Sequence, residues 1–116
     1  MQTKTALITG TSRGIGSSIK EILQNDEIKI LSPSRNELDL SSSESINKFL
    51  SEISEDIDII VNNAGILKVG KAEEFSIKDF QDILQVNVLA PFQIISGIVG
   101  GMKRKKFGRI VNILKS

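Results

Sequence analysis

The sequence predicts an α/β fold, a doubly wound parallel sheet of about five strands flanked by helices and forming one domain over residues 1–116. Three observations carry that expectation. Short apolar runs such as Ala6-Leu7-Ile8 lack the polar alternation of a half-exposed strand, as suits strands buried on both faces. Between them lie longer segments whose apolar residues recur at helical spacing. Gly10, Gly14 and Gly16 sit where the first run gives way to the first helical segment.

Thr5-Ala6-Leu7-Ile8-Thr9 is the first strand, closed by Gly10. Ile15, Ile19, Ile22 and Leu23 then recur at i, i+4, i+7 and i+8, which predicts an amphipathic helix packing that stripe on the sheet and ending at Asn25-Asp26. Ile28-Lys29-Ile30-Leu31 is the second strand, and Ser32-Pro33-Ser34-Arg35-Asn36 a polar turn. Glu37-Leu38-Asp39-Leu40 has the pattern of a third strand. Parallel neighbours, however, need a crossover of about a dozen residues, more than separates it from Leu31. It is either a token pairing at the sheet edge or a loop.

Ser41, Ser42 and Ser43 offer N-cap hydroxyls to a second helix marked by Ile46, Phe49, Leu50 and Ile53. Asp58-Ile59-Ile60-Val61 is a further strand, running into Asn62-Asn63-Ala64-Gly65. Ile77, Phe80, Leu84 and Val88 predict a long helix that continues past Pro91 towards Lys105, bent at the proline and stopped by Gly108. Arg109-Ile110-Val111-Asn112-Ile113 is the last strand. There is no internal repeat, low-complexity tract or linker.

Composition narrows the function classes. With 40% hydrophobic residues, 25% charged residues and 2 prolines, the chain is made like a folded soluble protein and unlike a disordered tail. Fifteen basic residues against 14 acidic ones leave a net charge of +1, too small a field to argue for a nucleic-acid or membrane partner. The one basic cluster, Lys103-Arg104-Lys105-Lys106, reads as the solvated last turn of a helix, where the dipole favours cations. The absence of cysteine excludes disulfides and thiolate metal sites, and the absence of histidine removes the commonest general base. No run is expected to reach the roughly 20 apolar residues of a membrane span, and no basic-then-apolar leader opens the chain, so the expected location is the cytoplasm.

The glycines need a chemical reason. In a doubly wound sheet ligands sit beyond the carboxyl ends of the strands, and the first strand-to-helix turn is where a pyrophosphate rests on the amino end of a helix. Gly10 permits a tight exit from the strand, while Gly14 and Gly16 let the backbone approach phosphates and the helix approach the sheet. A glycine triplet is a weak signal alone; its place between strand and helix at the start of a βαβ unit makes dinucleotide binding the expected function.

Four motifs in order, Thr9-Gly10-x-x-x-Gly14-x-Gly16, Asn62-Asn63-Ala64-Gly65, Val86-Asn87-Val88 and Gly108-Arg109-Ile110-Val111-Asn112-Ile113, closely resemble the short-chain dehydrogenases/reductases. The resemblance implies a Rossmann-like NAD(P)-binding fold and hydride transfer between a nicotinamide cofactor and a small carbonyl or alcohol substrate. It implies that the turn of Gly10, Thr11, Ser12, Arg13, Gly14, Ile15 and Gly16 serves the phosphates and adenosine ribose, that Asp39 hydrogen-bonds the adenine amino group with Leu40 beside it, and that Asn62, Ala64 and Gly65 line the nucleotide. Asn87 matches the catalytic asparagine that bends the long helix and anchors a proton-relay water. Read without the resemblance, Asn62 and Asn63 serve strand-end turn chemistry, Asp39 is a solvated carboxylate and Asn87 a buried amide at a helix bend. The long helix, with Phe92, Ile95 and Val99, resembles the face used for dimerisation, so a homo-oligomer through residues 76–105 is expected.

The cofactor form follows from charge. An NAD site presents a carboxylate to the ribose 2′-hydroxyl after the second strand, whereas an NADP site presents a guanidinium to the 2′-phosphate. Ser34 and Arg35 occupy that place, with Arg13 ahead of the second glycine, which favours NADP(H); Glu37 as the acid would favour NAD(H).

The family's catalytic Ser, Tyr and Lys do not follow. The chain has no tyrosine, so it holds no Tyr-x-x-x-Lys pair. Lys115 falls in the register of the catalytic serine and Ser116 comes one position late, a step that reverses a strand side chain's face, so the serine role is not carried to Ser116. The expectation is the N-terminal part of such a reductase, ended early and catalytically inactive, with an apolar edge bared beside Ile110 to Ile113. A nucleotide-binding regulatory or interaction module, and a nonfunctional gene fragment, are the alternatives.

Overall fold

The computed structural model describes residues 3–114 and is organised around β1 (Thr5–Ile8), which is buried at all four positions. β2 (Lys29–Leu31) pairs with one side of β1 and β3 (Ile59–Asn62) with the other, and β4 (Arg109–Asn112) lies beyond β3. All three pairings are parallel, with Leu7 opposite Leu31 and Ile60, and Ile60 opposite Ile110.

Because successive strand residues face opposite ways, β1 feeds two cores. On one face Leu7 and Ile60 pack with Ile46 of α2 (Ser43–Glu52) and with Ala90, Ile94, Ile98 and Met102 of α4 (Ala90–Lys105). On the other, Ala6, Ile8 and Val61 pack with Ile19 and Leu23 of α1 (Gly14–Asn25). Helices on both faces leave the strand ends as the open rim of the sheet, which is where the site lies.

The sheet has four strands among the described residues, so the expected fifth is corrected. Residues 37–40 are turns: Glu37 and Leu38 both donate backbone N–H groups to the Ser34 carbonyl, and with no crossover helix after β2 the segment cannot come alongside it. Leu38 is still used, buried in the α2–α4 core. The α1 stripe is narrower than expected, since Ile15 and Ile22 are 58% and 61% exposed. In the long helix the buried residues are Val86, Ala90, Ile94, Ile98 and Met102, while Ile77, Phe80, Leu84 and Val88 form a second, exposed stripe. A short 3₁₀ turn, Ala72–Glu74, leads into α3 (Ile77–Leu84). α3 joins α4 through a π-helical turn, Gln85–Leu89, just ahead of Pro91, which cannot donate to the preceding turn. Gly108 does not stop α4; Lys106 takes the left-handed position after it (φ 57°), and Gly108 instead lies so close to Met102 that a Cβ would sit 2.6 Å from its sulfur.

The continuous helix Ile77–Lys105 is, against expectation, long and apolar enough to cross a membrane by length and composition, because its charges are gathered at its ends. Here its inner face is seated on the sheet. Its last residue holds the opposite end of the molecule together. Lys105 Nζ lies 2.6 Å from Asp58 Oδ1, and Asp58 Oδ2 accepts the Thr5 N–H at 2.9 Å.

Candidate functional site

The turn after β1 is shaped by two glycines with positive φ, Gly10 at 70° and Gly14 at 64°. α1 starts at Gly14 with Arg13 as N-cap, in extended backbone, and neither a side-chain cap nor an acidic residue serves its first turn. Its amino-terminal N–H groups are thus without a side-chain cap, the arrangement in which a helix end can accept an anion. A Cβ on Gly14 would meet nothing within 4 Å, whereas one on Gly16 would collide with the Gly10 carbonyl oxygen and the Asn63 side chain. Gly16 is therefore the close-packing glycine, and Gly14 the one that keeps the approach clear.

β3 holds this turn in place. The Thr9 hydroxyl accepts the backbone N–H groups of Asn63 (3.1 Å) and Ala64 (3.0 Å). The buried Asn63 side chain returns the contact, Nδ2 donating to the carbonyls of Thr9 (3.2 Å) and Gly10 (2.9 Å). Its Oδ1 is buried without a hydrogen-bond partner among the described residues.

Above the turn opens a cleft of about 600 Å³. The structure brings Gly10, Thr11, Ser12, Arg13, Ser34, Arg35, Asp39, Leu40, Ala64 and Gly65 together on its walls, with Lys20, Ile66 and Val86. Three cations, Arg13, Lys20 and Arg35, face it against one carboxylate, Asp39, a balance suited to a polyphosphate. A hollow of about 700 Å³ between β2 and α2 is larger, but Glu37, Glu44, Glu52 and Glu55 line it with Lys48 as the one cation, the wrong sign for phosphate.

Four expected residues lie off the cleft wall, and Asn87 reaches it only through a neighbour. Ile15 is exposed on the first turn of α1, and Gly14 and Gly16 act through backbone geometry. The Asn62 side chain donates to Asn112 Oδ1 at 3.0 Å, tying β3 to β4. Asn87, on the π-helical turn, is exposed, not buried; its Oδ1 accepts the Ile66 N–H at 2.9 Å and its Nδ2 donates to the Ile66 carbonyl at 2.8 Å. Lys115 and Ser116 lie outside the described residues.

The carboxylates at the adenosine end are already engaged. Asp39 Oδ1 accepts from the Ser41 hydroxyl (2.6 Å) and N–H (3.0 Å), and these bonds, in that order and helped by Arg35, hold its carboxyl below the usual range. Glu37 Oε1 accepts the Ser34 N–H at 2.9 Å, and that bond, then the Ser34 hydroxyl, lowers the Glu37 carboxyl. Sequence reasoning placed Thr9 and Asn63 in its motifs without giving them the task of positioning the turn, and it missed Lys20. An Asn-Asn pair and a threonine at a strand end read as ordinary turn chemistry, and a lysine on an exposed helix gives no signal.

Residues 34–115 match the family model described as short chain dehydrogenase. The 3-oxoacyl-[acyl-carrier-protein] reductase FabG of Vibrio cholerae is 30% identical over 97% of this chain and 55% of its own length. That of Rickettsia typhi is 33% identical over 95% and 53%. D-beta-hydroxybutyrate dehydrogenase of Rhizobium meliloti is 31% identical over 96% and 53%, so the chain spans about half the length of the curated relatives it matches. Among solved structures, 4-hydroxyisoleucine dehydrogenase complexed with NADH superposes with a TM-score of 0.90 at 25% identity, over 97% of this chain and 56% of that one.

Proposed function

The chain belongs to the short-chain dehydrogenase family, and we propose on that premise that its cleft holds a nicotinamide dinucleotide, NADP(H) in preference to NAD(H). One observation carries the reading: the uncapped amino end of α1, cleared by Gly14, opens beneath a cleft with Arg13, Lys20 and Arg35 on its walls. These groups fit a pyrophosphate. The NADH complex of 4-hydroxyisoleucine dehydrogenase, a protein of similar fold, adds support.

Each wall has its own task. The backbone of Thr11 to Gly14 and the start of α1 would hold the pyrophosphate, and Asp39 and Leu40 would meet the adenine. Ser34 and Arg35 would hold a ribose 2′-phosphate. The tie between Glu37 and the Ser34 N–H favours that choice, because the carboxylate otherwise available to grip a 2′-hydroxyl is drawn into its own turn. When bound, the nicotinamide supplies the chemistry of hydride transfer to a carbonyl or from an alcohol. Asn87 would fix the Ile66 backbone at the nicotinamide side. These 116 residues include no tyrosine, so the tyrosine that the family resemblance calls for is not among them, and nucleotide binding is the part of the activity proposed for them. The exposed stripe Ile77, Phe80, Leu84, Val88 and Phe92 would seat a second copy of the chain.

A thermal melt of the 116-residue chain with NADPH and with NADH tests this reading. A ligand that binds only the native state must stabilise it, so NADPH raises the transition more than NADH does, and Arg35→Ala removes the difference. A transition moved by neither nucleotide refutes it.

A further inference from the structure

The wall of the cleft after β3 is a loop, Ala64 to Lys71, without regular structure, and little apolar burial holds it: Leu67 and Val69 are 74% and 89% exposed. Polar bonds from a single helix tie it down instead. At one end Asn87 brackets the Ile66 peptide through both its N–H and its carbonyl. Two residues on, Lys68 reaches back to the same helix, its ammonium 2.9 Å from Asp79 Oδ1 and 3.2 Å from Asp82 Oδ2. Both carboxylates are themselves placed, Asp79 in the first turn of α3, where the Ser76 hydroxyl accepts its N–H, and Asp82 by a second ion pair with Lys78. Asp79 and Asp82 share a face at i and i+3, and the π-helical turn brings Asn87, five residues after Asp82, round to the same loop.

We propose that Lys68 is a positioning residue, a latch from the loop to α3 that orders the Ala64–Ile66 wall for the nucleotide. This rests on the reading of the cleft as a dinucleotide site, but the latch can be observed without any nucleotide. With Lys68 held, the Ile66 peptide stays within reach of Asn87 and the wall is formed before the ligand arrives. An exposed pair is individually weak, so the gain is order in one loop and not stability of the whole molecule.

The test is backbone amide exchange at Ile66 in the 116-residue chain, free of nucleotide, for the wild type, Lys68→Met and Lys68→Arg, followed by NADPH titration of each. Lys68→Met speeds Ile66 exchange by about threefold or more, leaves the core amides of Leu7 and Ile60 unchanged and weakens NADPH by about threefold; Lys68→Arg restores both. Unchanged Ile66 exchange in Lys68→Met overturns the latch, as does an equal acceleration at Leu7 and Ile60. A wild type that fails to bind NADPH while Ile66 exchange still responds to Lys68→Met overturns the dinucleotide reading and leaves the latch standing.

Discussion

The Asn63 side-chain amide lies 2.9 Å from the Gly10 carbonyl oxygen, so the end of β3 fastens the turn that follows β1. The same nitrogen serves the Thr9 carbonyl at 3.2 Å, and the Thr9 hydroxyl answers from β1 by accepting the Asn63 and Ala64 N–H groups, so these two side chains join the strands beyond their last paired residues. Asn63→Ala strips two carbonyls of a donor in a buried place and leaves a void, which costs about 2–4 kcal/mol. Urea unfolding of the variant measures it; a loss under 1 kcal/mol by the same scale would show that the amide is dispensable.

Gly14 and Gly16 separate folding from binding. Gly14→Ala carries only the cost of a left-handed alanine, about 1 kcal/mol, because the space beside it is open. On the proposed dinucleotide reading it nevertheless puts a methyl group where a phosphate would approach, so NADPH binding should fall by about tenfold or more. Gly16→Ala drives a methyl group into the Gly10 carbonyl and destabilises the chain by about 3 kcal/mol. Melts and NADPH titrations of the two variants should rank them in opposite orders.

Stability should be flat across neutral pH, since the sequence has neither histidine nor cysteine. Burial alone would raise the Asp58 carboxyl, but the bonds from Lys105 and the Thr5 N–H outweigh it and hold it low. A depressed carboxyl stabilises the fold above the unfolded value of about 3.9 and ceases to do so as pH falls through its folded value. Asp39, Glu37, Asp79 and Asp82 act in the same direction. Lys105 and Lys68 are raised, so their contribution is complete below the unfolded value of about 10.4 and is lost above it. The expected profile is a plateau from about pH 5 to 9 with losses on both sides. Asp58→Asn should lower that plateau by about 2 kcal/mol, less than for a fully buried pair because Lys105 is 30% exposed, and should soften the acid limb. An unaltered acid limb would show that Asp58 does not govern it.

Phe80, Val88 and Phe92 share the exposed stripe of the long helix, at 52%, 55% and 70% exposure. Sedimentation of the wild type should show a dimer that Phe80→Lys with Phe92→Lys converts to a monomer of unchanged helix content. A wild type already monomeric at the highest concentration would leave the stripe without a second copy.

The alternation of apolar runs and helical stripes made the βαβ order readable, because burial on two faces leaves its mark on composition. Residues 37–40 were ambiguous for a topological reason: their pattern suits a strand, yet the connection from Leu31 is too short to bring them beside β2. Ile77, Phe80, Leu84 and Val88 correctly signalled a helix, but periodicity cannot tell which of two apolar stripes faces the core. At the site, the glycines announced the turn through their backbone demands. The roles of Asn63 and Lys68 come from contacts across 53 and 11 or more residues, which no local pattern encodes.

Dinucleotide binding in the cleft above the β1 turn is tested most directly by an NADPH titration of the isotope-labelled chain followed by backbone amide shifts. Saturable shifts are expected at Thr11 to Gly16, Ser34, Arg35 and Ala64 to Ile66, with the amino-terminal amides of α1 moving most, and little change in the hollow between β2 and α2. Shifts that never saturate, or that gather around Lys48 and Phe49, would contradict it.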